Sequence, residues 1–284
     1  MILALATALG TNVAFLFKHR GAVRAAPVQG RHPLRSAADL FRSRWFSIGW
    51  AVALVAWALH VGALSLAPLS IVQAVISGGL VFLAVLAERF FGFRLERRQW
   101  IGVMITAAGL GVIGLTVSSP GAQHSSLAAL IAVEGGIIIL AGALVRISAR
   151  RGVWRRAEGL LLGTAAGALF GVSDVAIKFL THAHGPVLGL VSPWTLTAIV
   201  ASVVAFYASA RGLQIGPGVE VIAVTSVAAN LAAISGGILV FGDSIGSGPV
   251  GITTHLLALC LVIAGAALMP APARCAAPEA AQPA

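Results

Sequence analysis

A chain of 284 residues that is 58% hydrophobic and only 10% charged, with a mean hydropathy of +0.97, is too apolar for a water-soluble globule, where about a quarter of residues carry charge. Its formal charge of +10 lies almost wholly between apolar runs, which argues against a basic nucleic-acid-binding face. The runs are long and unbroken, not alternating, so helices and not barrel strands are expected to satisfy the backbone in lipid. The expectation is an all-α, polytopic membrane protein.

The first spanning helix is placed at residues 1–17, short for a bilayer core of about 30 Å. Its positive charge follows the apolar run instead of preceding it, unlike a secretory signal. The basic segment 18–44 holds Pro27, Gly30 and Pro33, then an amphipathic piece, SAADLFRSRWF, suited to the inner interface. Helices follow at 45–67, 68–87 and 100–117; Pro68 ends one and suits the first turn of the next, and Glu88 and Arg89 close the apolar run. An uncharged turn at 118–126 leads to a helix at 127–145. After a third basic linker come helices at 158–180, 190–210, 217–241 and 250–269. That makes about nine crossings, and the Ala/Pro-rich tail at 270–284 is expected to be disordered.

Basic and empty linkers alternate. Lys18, Arg20, Arg24, Arg31, Arg35, Arg42 and Arg44 fall in the first, Arg89, Arg94, Arg97 and Arg98 in the third, and Arg146, Arg150, Arg151, Arg155 and Arg156 in the fifth. The positive-inside rule then puts the N-terminus outside and the tail in the cytoplasm of a multi-pass cell-membrane protein. Trp45, Trp50, Trp100 and Trp154 cluster at the inner boundary, as interfacial aromatics do. Cys260 and Cys275 lack the paired spacing of a disulfide framework or metal cluster.

An internal repeat runs through the chain. LGTNVAFLFK in the first helix is echoed by FGVSDVAIKF in the sixth, setting Asn12 against Asp174. A-L-x-L-A-P before Pro68 is echoed by G-L-x-I-G-P before Pro217, and Glu88 and Asp243 close the helices that follow, ahead of Gly102 and Gly251. Residues 1–117 thus read as a first repeat and 158–269 as a second, with 118–157 as a bridging helix and linker. An odd number of crossings between copies inverts the second relative to the first, the arrangement of many secondary transporters.

These motifs resemble the drug/metabolite transporter (EamA-like) superfamily over nearly the whole chain: G-x-x-x-x-x-x-K at the opening of a repeat, then A-L-x-x-x-P, then E-R, then G. The first repeat passes directly from the basic segment to the W-x-x-x-G of Trp45 and Gly49. That omission, with K-H-R-G after the first helix and L-A-P-L-S-I-V entering the third, resembles the NIPA-like magnesium transporter branch, though His60 and Ala74-Val75 stand where that branch carries other residues. The resemblance implies a bundle of inverted repeats moving a small solute by alternating access, or, in the branch, a magnesium or other divalent cation.

Few polar groups sit inside the apolar runs. Glu134, in IAVEGGIII, costs several kcal/mol as an ion in lipid unless it faces a cavity, meets a partner or stays protonated; it is a candidate substrate group and, for a cation permease, a metal ligand. Gly135 and Gly136 beside it permit close approach. Asp174 and Lys178 are four residues apart on one helical face and able to pair, as a gate, a substrate handle or a structural bridge. Asn12 is the repeat counterpart of Asp174 and offers a donor and an acceptor without charge. Gln73, Ser77, Gly78 and Gly79 form a small polar strip suited to lining a pathway or to packing. Gly163, Gly167 and Gly171 give a smooth packing face. Glu88, Arg89 and Asp243 read as solvated helix ends, Glu220 as facing either the inner surface or the cavity, and His60, His182, His184 and His255 as too scattered for a metal site. No nucleophile elbow, Walker loop, H-E-x-x-H or C-x-x-C is present, so neither enzyme chemistry nor a cofactor is expected. The expected partners are the bilayer and a small solute or cation; a homodimer is compatible with the sequence, and a non-transporting scaffold or lipid-handling protein is the reading from another class.

Overall fold

Apolar runs bounded by charge, proline or serine become helices throughout. The computed structural model describes residues 2–29, 32–67, 69–77, 79–92, 95–116, 126–150, 153–183, 192–242 and 248–268. Every described element is helical, in the order α1 (Ile2–Ala22), α2 (Pro33–Phe41), α3 (Arg44–Leu66), α4 (Leu69–Ser77), α5 (Gly79–Phe91), α6 (Arg97–Thr116), α7 (Leu127–Ser148), α8 (Arg155–Ala183), α9 (Pro193–Ile215), α10 (Gly218–Phe241) and α11 (Gly248–Ala267). Ser126 opens α7 by accepting from the Ala129 amide at 3.2 Å, and Ser192 opens α9 by accepting from Trp194 at 3.3 Å. Gly242, at φ +68°, closes α10 in the left-handed conformation that glycine adopts without strain.

Six of the described helices, α1, α3, α7, α8, α9 and α10, are long and apolar enough to cross a membrane. They occupy the positions of six of the expected crossings. The stretch expected as one helix at 68–87 holds α4 and α5; residue 78 between them, like Pro68 and Asp243, lies outside the described residues. So does the tail expected to be disordered.

Two helices run further than their apolar runs. α1 continues through Lys18 and Arg20 to Ala22 because aromatic faces receive the cations: Lys18 Nζ lies 4.1 Å from the Phe15 ring centroid and the Arg20 guanidinium 4.2 Å from that of Trp45. α8 starts at Arg155 and reaches Ala183. Arg156, in its first turn, clasps both carboxylate oxygens of Glu220 on α10 at 3.0 and 3.1 Å.

Packing follows small residues. α1 lies along α3, α8 lies between α9 and α10 with α7 on its flank, α6 pairs with α11, and α4 touches both α6 and α10. The face of Gly163, Gly167 and Gly171 meets α10, where a Cβ on Gly167 would collide with the Thr225 carbonyl. The outward faces are apolar: Ile139 on α7 is 74% exposed, and Leu196, Ile199 and Leu239 are exposed likewise.

At the end of the bundle that carries the basic segments, polar side chains tie linkers to helices. Gln214 on α9 donates to the carbonyls of Ala22 and Ala26 and accepts from the Val28 amide. Tyr207 donates to Pro33 O at 3.0 Å, seating α2, whose Phe41 meets Phe46, Trp50 and Phe206. Glu88, read from sequence as a solvated helix end, accepts instead from the Leu95 amide and the Trp100 indole at 3.0 and 3.2 Å. The linker folds back far enough to bring both donors to it.

Candidate functional site

A cavity of about 630 Å³ lies between α1, α3, α8, α9 and α10, with Gln73 and Ile76 of α4 and Phe41 of α2 completing its wall. Most of the lining is apolar and aromatic. Helix geometry places these residues: α1 and α3 run antiparallel, with Gly10 against Ala56 and Gly49 against Lys18, so the inner stripe of each presents every third or fourth residue to the same space.

Its polar wall is assembled from separate helices. Asp174 of α8 is held on both oxygens: His60 Nε2 of α3 lies 3.0 Å from Oδ1, and Gln73 Nε2 of α4 donates to Oδ2 at 2.8 Å. Beside it on α8, the Ser173 hydroxyl is 2.9 Å from that of Ser202 on α9. Asn12 of α1 donates to the carbonyls of Ala8 and Gly79 at 2.8 and 2.9 Å. Its Oδ1, buried at the cavity wall, has no hydrogen-bond partner among the described residues, nor has His60 Nδ1. The close approach of Gly79 to Asn12 and Ala8 leaves no room for a larger residue there.

At the other end stands Lys18, over Phe15 and against Gly49 of α3; Phe41, Trp50, Phe206 and Tyr207 belong to the same lining. Asp174 is the one carboxylate among the described lining residues. No cluster of three or more His, Cys, Asp or Glu side chains able to hold a metal occurs among the described residues.

Comparison with known proteins gives two relatives that align over most of their length. The chain is 26% identical over 281 residues to a probable magnesium transporter of Arabidopsis thaliana, named NIPA9, covering 94% of this chain and 80% of that protein. It is 30% identical over 263 residues to an uncharacterised protein of Corynebacterium glutamicum, covering 86% of this chain and 84% of that one. The chain belongs to the family of that bacterial protein. No family model and no solved structure matches it. With six helices long and apolar enough to span and a transporter homologue aligned over nearly all of its length, it is a multi-pass membrane protein.

Of the residues singled out from sequence, Asn12, Gln73 and Asp174 meet in this cavity. Glu134 and Lys178 are not among its described lining. Glu134, only 2% exposed on α7, has both carboxyl oxygens without a hydrogen-bond partner among the described residues. Lys178 donates to the carbonyls of Leu64 and Ala67 at 2.7 and 3.0 Å, at the C-terminal end of α3, while its neighbour Asp174 turns to His60 and Gln73. The Ser77 side chain, Gly78 and His184 lie outside the described residues.

Sequence reading missed His60 and Lys18 as cavity groups. His60 was one of several scattered histidines, and its partner is 114 positions away. Lys18 follows the apolar run and reads as the start of a linker, although Phe15 three residues before it is a local signal that the helix continues.

Proposed function

We propose that the chain is a secondary transporter that moves a small solute through this cavity by alternating access. Two inverted units rock against each other, one built from α1, α3, α4, α5 and α6 and the other from α8 to α11, with α7 as the bridge. The observation that carries this reading is the cavity itself, lined by helices of both units and holding Asp174 as the one carboxylate among its described lining residues. The repeat supports it: Asn12 and Asp174, counterparts in sequence, line the same space, and α1 on α3 is matched by α8 on α9. Sites between inverted repeats near the midplane suit this mechanism. The alternating basic linkers favour a cytoplasmic location for the end that carries α2.

Cysteine scanning tests the mechanism without knowledge of the solute. In a background with both natural cysteines replaced, Cys260→Ser and Cys275→Ser, Thr11→Cys on the cavity wall is labelled in sealed vesicles with a membrane-impermeant maleimide added to one face or the other. Alternating access is expected to expose it from both faces. Labelling from one face only, or from neither in protein that unfolds normally, would sink the transport reading and favour a scaffold.

A second reading follows from the description of the plant relative: a magnesium permease in which Asp174 and Asn12 Oδ1 supply hard oxygens and the ion keeps several waters. Magnesium entry into proteoliposomes that hold an internal indicator decides it, with Asp174→Asn and Glu134→Gln compared. Flux that survives Glu134→Gln but not Asp174→Asn would put the ion in this cavity; flux lost in Glu134→Gln alone would move its path to α7.

A further inference from the structure

The charges of this cavity are not equivalent. Asp174 has a protein donor on each oxygen. Lys18 has none of the opposite kind: its ammonium rests on the face of Phe15 at 4.1 Å, and it forms no ion pair with any described carboxylate. Its stem is pressed to the α3 backbone, since a Cβ on Gly49 would lie 2.9 Å from Lys18 Cγ. From Gly49 to His60, α3 rises about 16 Å, so the two charges stand towards opposite ends and do not neutralise each other. His60, beside Asp174, lies at the far end; Tyr207, the remaining titratable group among the described lining residues, has its hydroxyl engaged with Pro33 O. An ammonium at a low-dielectric wall without a counter-charge is poised for an anion.

We propose that Lys18 binds the anionic head of an amphipathic organic solute, a carboxylate or a phosphate monoester, whose apolar body lies along the aromatic wall. Phe41 meets Trp50 edge-on at 5.5 Å and lies nearly parallel to Phe206 at 6.2 Å between ring centroids, so the three rings form one continuous aromatic face of the lining that Lys18 shares. The volume of about 630 Å³ is that of a drug-sized molecule and far exceeds what a small ion fills. Polar groups at the far end of the solute meet Asn12 Oδ1 and the Asp174 cluster. A bare divalent cation is repelled from the Lys18 end. This inference deepens the transport reading by naming the solute class, and it rests on that reading only for the consequence of binding.

Trp50 and Trp57 line the cavity, so quenching of their fluorescence reports occupancy directly. The full-length protein in detergent is titrated with three nitroaromatic quenchers of similar shape: 4-nitrophenylacetate, 4-nitrophenyl phosphate and 4-nitrobenzylammonium. At least one anion is expected to quench saturably and the ammonium probe not to. Lys18→Met is expected to weaken the anion about tenfold or more, Lys18→Arg to hold it within about threefold, and Trp50→Phe to cut the amplitude of the quenching. The two anions separate carboxylate from phosphate recognition. Equal anion affinity in the natural protein and Lys18→Met, saturation by the ammonium probe alone, or no saturable quenching by either anion in protein with an intact melting profile would each overturn the assignment. Should Lys18→Met not fold, Lys18→Gln takes its place, read against Lys18→Arg. Anion binding with one-sided labelling at position 11 would end the transport reading and leave this one standing.

Discussion

His60 Nε2 and Asp174 Oδ1 lie 3.0 Å apart across 114 residues of sequence, and Gln73 Nε2 closes on the other oxygen at 2.8 Å, so one carboxyl joins α3, α4 and α8. Buried hydrogen bonds between membrane helices are worth about 0.6 kcal/mol on average and up to about 1.7. A double-mutant cycle of His60→Ala and Asp174→Ala is expected to give a coupling of about 0.6–1.7 kcal/mol, read from unfolding in detergent. Strictly additive losses would mean that the pair does not act as one unit.

Close packing of α8 on α10 predicts a contrast between two glycines. A methyl on Gly167 runs into the Thr225 carbonyl, which is backbone and cannot swing aside, whereas one on Gly135 of α7 meets nothing within 4 Å. Gly167→Ala is therefore expected to destabilise by about 1–3 kcal/mol through overpacking. Gly135→Ala should be neutral or stabilising by up to about 1 kcal/mol from helix propensity. Thermal unfolding of the two variants checks this, and equal melting points would contradict the packing.

How much of this was legible in the sequence depends on the range of the interaction. Apolar runs, proline turns and the glycine face at 163, 167 and 171 are local signals, and they place α3, α7, α8, α9 and α10 well. The side chains that build the cavity's polar wall find partners on other helices, 29 positions away for Ser173, 67 for Asn12, and 101 and 114 for the Gln73 and His60 contacts with Asp174, which spacing does not encode. Lys178 shows the cost of a purely local rule. Four residues from Asp174, it had an obvious partner by helical spacing, yet the end of α3 offers it two carbonyls while His60 and Gln73 hold the carboxylate. Glu134 is the converse case: its place inside a membrane helix was plain, and what it faces was not.

The Arg156–Glu220 clasp is asymmetric, with Glu220 only 2% exposed and Arg156 43% exposed. Removing the arginine strands a buried carboxylate, while Glu220→Gln keeps a hydrogen-bonding group opposite a guanidinium that water can still reach. Arg156→Ala is expected to cost about 1–3 kcal/mol, Glu220→Gln less, and the double variant less than Arg156→Ala alone. Unfolding curves of the three proteins test the order. Should Glu220→Gln be the most harmful, the carboxylate has a task beyond this pair.

Lys178 separates holding the fold from binding the solute. Its ammonium reaches Leu64 O at 2.7 Å and Ala67 O at 3.0 Å, carbonyls that a helix end leaves without intrahelical partners and that attract a cation through the helix dipole. Lys178→Met keeps the length and removes both bonds, so it is expected to lower stability by about 1–3 kcal/mol; Lys178→Arg should recover part of that loss. Because Lys178 is not among the described lining of the cavity, the affinity for 4-nitrophenylacetate in Lys178→Met is expected to stay within about threefold of the natural protein, the opposite of Lys18→Met. Measuring melting and quenching on the same preparations distinguishes the two lysines. If Lys178→Met melts normally but loses the anion, the head group binds at the α3 end and the assignment of Lys18 is wrong.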